Sequence, residues 1–217
     1  MKRTLTALAV LLATADLLHA GTTRTWDGTA GNWDDGSKWT GALPPQDGDT
    51  AIINGGTVLL RSSTFALTAL TMNGGILTFT NWTTALNATS IVVNSGAIVN
   101  LPPAFMDTDM SNRVWVVCSD FTLAAGAKID GTGLGYAGGT NIGCNGQGPG
   151  AGTTPPGNYY GGGGGHGGYG TNGAAGVGGG TYDSTNAPIQ PGSGGAGNLA
   201  VAGGGAVRID ATGTVTV

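Results

Sequence analysis

Leu70-Thr-Met-Asn-Gly-Gly-Ile-Leu-Thr-Phe79 decides how the chain is read. Two short apolar runs flank Asn-Gly-Gly, and Leu77-Thr-Phe-Thr80 alternates apolar with polar, the period of a half-buried strand. The same unit occurs in Thr50-Ala-Ile-Ile-Asn-Gly-Gly-Thr-Val-Leu-Leu60, Ser90-Ile-Val-Val-Asn-Ser-Gly-Ala-Ile-Val99 and Asp120-Phe-Thr-Leu-Ala-Ala-Gly-Ala-Lys-Ile129. Val207-Arg-Ile-Asp-Ala-Thr-Gly-Thr-Val-Thr-Val217 reads as a fifth copy. The turn glycines are Gly56, Gly75, Gly96, Gly126 and Gly213. A strand–turn–strand unit recurring about every 20 residues predicts an all-β, right-handed parallel β-helix, each unit contributing inward Ile, Val, Leu and Phe to a shared core. The alternative is a β-sandwich or barrel of antiparallel hairpins, because Asn-Gly is also a strong hairpin signal.

The lengthening intervals between turn glycines predict insertions at the bends. A short one covers Leu101-Pro-Pro-Ala-Phe-Met-Asp-Thr-Asp109, and a long glycine-rich one spans 131–205 before strands return at 206–217. In 131–205, 31 of 75 residues are glycine, so few side chains remain to bury. Two states are open to such a block. Extended segments with a twist like polyproline II can bond backbone to backbone, or the block can be a mobile loop favoured by glycine's entropy.

Charged residues make up 9% of the chain, glutamate is absent and the net charge is -4. That balance argues against nucleic acid, whose binding needs clustered Lys and Arg. Residues 1–20 read as a signal peptide: Lys2 and Arg3 precede a short apolar run, with small-residue cleavage signals ending at Ala20. The run is too short to span a bilayer, and no transmembrane segment is expected in the mature chain. The expected location is outside the cell, secreted or at the cell surface. In that oxidising space Cys118 and Cys144 are candidates for a disulfide, with two separate thiols as the equal alternative.

Residues 21–49 are rich in tryptophan and precede the strands assigned to 50–130. Trp26, Trp33 and Trp39 can stack on sugar rings, or they can cover the open end of the solenoid, as repeat stacks require. In the glycine block Tyr159, Tyr160 and Tyr169 are candidates for contact with glycans or other surfaces. Asp47 and Asp49, or Asp107 and Asp109, supply too few oxygens for calcium. His166 has no sequence-adjacent nucleophile and acid. Asp107, Asp109, Asp120, Asp130, Asp183 and Asp210 form no recognisable pair for glycoside hydrolysis. No catalytic residue, metal or cofactor is expected.

The succession Trp26-Asp-Gly, Trp33, Trp39-Thr-Gly, then Pro44-Pro-Gln-Asp-Gly-Asp-Thr-Ala51, resembles unit starts of large exported bacterial surface proteins. These include autotransporter-type passenger domains and β-helical adhesins. Gly162-Gly-Gly-Gly-His-Gly-Gly-Tyr-Gly170, Pro191-Gly-Ser-Gly-Gly195 and Gly203-Gly-Gly-Ala-Val-Arg-Ile209 are similar to a glycine-rich module of large extracellular proteins. The resemblance implies architecture and location rather than chemistry. The expectation is a secreted, non-enzymatic surface or adhesion-type protein contacting polysaccharide or cell-surface components. Further coils or a partner are expected to stack beyond Val217. A β-helical polysaccharide lyase or hydrolase is the alternative, and an ice-binding protein ranks last.

Overall fold

The computed structural model describes residues 21–106, 110–184 and 186–217. The signal-peptide segment, Asp107 and Asp109 therefore lie outside the described residues. Regular structure among them is almost wholly strand: β1 (Thr23–Thr25), β2 (Ala30–Asn32), β3 (Thr50–Ile53), β4 (Thr57–Leu60), β5 (Leu67–Met72) and β6 (Ile76–Phe79). These are followed by β7 (Leu86–Val93), β8 (Ile98–Asn100), β9 (Arg113–Leu123), β10 (Lys128–Asp130), β11 (Ala206–Ala211) and β12 (Val215–Thr216). One 3-10 turn covers Gly36–Lys38.

Two parallel sheets are visited in alternation. One runs β1-β3-β5-β7-β9-β11 with β12 also on β9, and the other runs β2-β4-β6-β8-β10. The Asn-Gly turns therefore close no hairpins: the strands flanking each lie in different sheets, and every ladder between strands is parallel. This excludes the antiparallel alternative. Register explains why. Ala51, Leu70, Ile91 and Phe121 stand in one row, Ile53, Met72, Val93 and Leu123 in a second, and Val58, Leu77, Val99 and Ile129 in a third on the facing sheet. A one-residue slip in any strand would turn its apolar row to water. Each fully buried Leu, Ile or Phe contributes about 1.5–3 kcal/mol through surface removed from water.

At the turns, Gly56, Gly75, Gly96 and Gly126 all hold φ between +79° and +85°, a region costly for side-chain-bearing residues. Asparagines stack beside them: Asn73 Nδ2 donates to Asn54 Oδ1, and Asn94 Nδ2 to Asn73 Oδ1, both at 2.8 Å. Gly213 does not join this column. Its N–H donates to Ser119 O, and Thr214 N–H donates to the Asp120 carboxylate. The fifth unit is thus out of phase, because β11 and β12 both lie on β9 rather than on successive sheets. It stacks on β9 itself, with β11 paired as far as Cys118 and β12 resuming at Phe121.

The sheets begin at Thr23 rather than at Thr50, since β1 pairs with β3 and β2 with β4. The tryptophan segment supplies edge strands as well as a cover. At the other end, Gly131 and Gly205 meet as the glycine block leaves and returns, with Gly205 N–H bonded to Gly131 O at 2.7 Å.

The block is a hydrogen-bonded bundle. Gly162 N–H donates to Thr153 O, Gly163 to Thr171 O, Gly165 to Gly150 O, Gly179 to Gly163 O and Ala196 to Gly162 O. Successive residues face different neighbours: Gly161 and Gly164 abut 193–196, Gly162 and Gly165 abut 177–180, and Gly163 faces Thr171. That three-residue period is the one polyproline II imposes, and it spreads the bonds in several directions instead of one ladder. The 101–106 excursion packs on the block through Phe105, which pairs with Tyr136 and meets its ring edge-on at 4.9 Å.

Candidate surface-binding sites

Trp26, Trp33 and Trp39 are buried, with 3%, 4% and 3% of their surface exposed, which removes them as sugar-stacking faces. Their rings pack edge-on at 5.2 Å (Trp26–Trp39) and 4.8 Å (Trp33–Trp39). Trp39 Nε1 donates to Trp33 O and Trp26 Nε1 to Thr29 O, so both of these buried indole donors are satisfied. They belong to the same apolar cluster as Ala51, Ile53 and Val58, which is what a covered sheet end requires. The buried Asp49 carboxylate holds this end in place by accepting from Thr22 N–H, Gln46 N–H and Arg24 Nε. Asp47 accepts from Ala66 N–H. Both carboxylates are structural.

Cys118 and Cys144 are free thiols in the structure, which does not join them. Cys118 faces inward from β9 in the row of Ala88 and Ala211, and burial pushes its thiol upward, away from the reactive thiolate. Cys144 lies within the glycine bundle, where its carbonyl accepts from Gly197 N–H.

Tyr159, Tyr160 and Tyr169 are 56%, 68% and 81% exposed. Around them the backbone is fixed: Tyr159 O accepts from Asn198 N–H, and Tyr160 O from Ala175 N–H. Tyr182 differs. Its hydroxyl donates to Pro191 O and accepts from Ser193 Oγ, and burial raises its phenol.

His166 lies beside Tyr182, ring centroids 4.8 Å apart, with Nε2 3.5 Å from an Asp183 oxygen. It lines a cleft of about 590 Å³ walled largely by glycine backbone. The residues here are otherwise engaged. Asp183 accepts from the N–H groups of Gln190, Ser184 and Ile189, and those bonds, with Gln190 first, hold its carboxyl below the usual range. Ser193 Oγ accepts from Gly150 N–H while donating to Tyr182. These contacts tie Asp183, with Ile189 and Gln190 bonded to it, to His166 of the bundle. Asp120 and Asp130 likewise accept from backbone N–H groups, at Thr214 and Thr132.

A second cluster escaped the sequence reading. On the outer face of the larger sheet, the Arg113 guanidinium lies 4.9 Å from the Trp82 ring centroid and 4.3 Å from that of Trp115. Arg208 lies over Trp115 at 5.3 Å. Asp210 accepts from Trp115 Nε1 and Arg208 Nε, each at 2.9 Å, and Arg208 above all depresses its carboxyl. The i, i+2 spacings of Arg113 with Trp115 and of Arg208 with Asp210 signal shared strand faces. Nothing local signals that the two strands are neighbours.

The repeat of β3 to β8, with its glycine turns and the Trp39 and Asp49 that cover its end, is the part of the chain that a known family recognises. Residues 38–100 match the G8 domain. The G8 match takes in β3 through β8. Arg113, Trp115 and the exposed tyrosines lie outside it, so the G8 match assigns none of them a role. The match shows no autotransporter or adhesin family. No curated protein and no solved structure matches the chain.

Proposed function

We propose that this chain is a secreted or cell-surface, non-enzymatic protein of adhesion type, in which a right-handed β-solenoid carries a glycine-rich protrusion that contacts glycans or other surfaces. The alternation of parallel strands between two sheets, in register over successive units, supports the solenoid. The G8 domain, typical of extracellular proteins, supports the location. The observation that carries the reading is the exposure of Tyr159, Tyr160 and Tyr169, the first two with hydrogen-bonded carbonyls and the third beside Gly170, whose N–H bonds to Gly179 O. Exposed tyrosine offers a large amphipathic face with little rotamer entropy to lose, and a fixed backbone lowers the cost of ordering it.

The test is binding of the mature chain to an immobilised glycan panel and to whole cells, against a Tyr159→Ala, Tyr160→Ala, Tyr169→Ala variant. Binding that weakens at least about tenfold in a variant of unchanged melting temperature is expected. Unchanged binding, or turnover of any glycan by the parent protein, contradicts the proposal.

A further inference from the structure

We infer that the Arg113–Trp115 face of the larger sheet is a second binding site, for polysaccharides bearing carboxylate or sulfate groups, with the Arg113 guanidinium as the recognising group. It shares no residue with the tyrosine surface and stands independently of it.

Arg113 is only 8% exposed, yet its Nε has no hydrogen-bond partner and no carboxylate lies within salt-bridge distance among the described residues. Arg208 is paired with Asp210 at 2.9 Å, whereas among the described residues Arg113 forms no salt bridge and Asp210 acts on it only from beyond bonding distance. A buried cation lacking a counter-charge is costly. Burial, and then the like charge of Arg208, disfavours its protonated form. The surroundings nonetheless hold it in place. Trp82 and Trp115 flank the guanidinium, and Asn81 N–H donates to Asn112 Oδ1, which fixes the Trp82 loop to the start of β9. Aromatic faces restrain the plane of an arginine without consuming its donors. The result is a guanidinium held between two aromatic rings with its Nε left without a partner, a group whose planar fork pairs with a carboxylate or sulfate.

The ligand class follows from the neighbours. Two guanidiniums on a chain of net charge -4 are too few for a phosphate backbone, which needs a cluster of cations. They suit a polymer with an anion on each sugar. Trp82 and Trp115 are both half-buried, so each keeps some aromatic surface for the apolar side of a sugar beside the guanidinium. The site would thus read one acidic group and the ring beside it.

The experiment measures binding of the full chain to polygalacturonate, dextran sulfate and neutral dextran at low and raised salt. Binding to at least one polyanion and not to neutral dextran is expected, weakened by salt. Which polyanion binds identifies the anion, and either supports the site. Arg113→Met, which keeps the stem but removes the charge, should weaken binding at least about tenfold. Arg113→Lys, which keeps the charge and loses the fork, should also weaken it, while the tyrosine variant should bind polyanion as the parent does. If Arg113→Met does not fold, Arg113→Lys and the exposed Arg208→Ala decide the matter. Equal binding to neutral dextran, no polyanion binding, or full binding by folded Arg113 variants overturns the inference. Failure here with tyrosine-dependent binding intact leaves the adhesion proposal standing.

Discussion

In β3 to β10 the backbone bonds run in parallel ladders, and rows of Ile, Leu, Val and Phe fill the space between the sheets. In 131–205 there is almost no side chain to bury, and the segments instead approach until carbonyls occupy the space a Cβ would take. Side-chain burial tolerates small shifts because apolar contact has no direction. A glycine bundle does not, since each backbone bond nets only about 0.5–1.5 kcal/mol while ordering glycine costs more than ordering any other residue. Its order therefore depends on pairing nearly every N–H. One region is held by area and the other by geometry.

The largest expected effect breaks the first region. Phe79→Ala removes a ring with no exposed surface and should cost about 3–5 kcal/mol, read by denaturant unfolding of the strand region. The next effect separates the two regions. A Cβ on Gly179 would collide with Gly150 O and approach Ala151, whereas on Gly180 it meets nothing within 4 Å. Gly179→Ala should destabilise the bundle by about 1–3 kcal/mol and admit proteases to 131–205. Gly180→Ala should stay within about 0.5 kcal/mol of the parent. Equal behaviour of the two variants would remove close packing as the source of order.

A smaller effect concerns the asparagine column. Asn73→Ala cuts both of its links, but at an exposed site, so a loss of about 0.5–1 kcal/mol is expected by chemical denaturation. The smallest effect is pH-dependent. Asp183 has a lowered folded-state pKa, so its contribution is complete above the ordinary carboxylate range and disappears as pH falls through the folded value. Amide exchange at Ile189 and Gln190 should therefore accelerate below about pH 4 beyond its intrinsic pH dependence, and Asp183→Asn should remove that extra change.

Much of the strand region was legible because its signals are local. Alternation and Asn-Gly turns lie within ten residues of one another, and their repetition named the shared interior. The fifth unit misled because Ala211-Thr-Gly-Thr214 looks like the other turns, while its partner, Ser119–Asp120 within β9, is distant in sequence. For Trp26, Trp33 and Trp39 the sequence favours capping over sugar stacking, and their burial decides it. Cys118 and Cys144 could not be paired or separated without knowing which way β9 faces. Arg113 with Arg208 was invisible for the same reason: Trp115 and Asp210 bond across 95 positions. The glycine block left two states open because a three-residue screw needs no pattern of side chains.

The measurement that bears most directly on this account is amide hydrogen exchange across 131–205 in the intact protein. Slow exchange is expected at Gly162, Gly163, Gly165, Gly179 and Ala196, whose N–H groups bond to distant segments, with faster exchange at Gly167, where a Cβ would meet open space. Exchange at unprotected rates throughout 131–205, while β3 to β9 stay protected, would show that the glycine block is not held by its backbone.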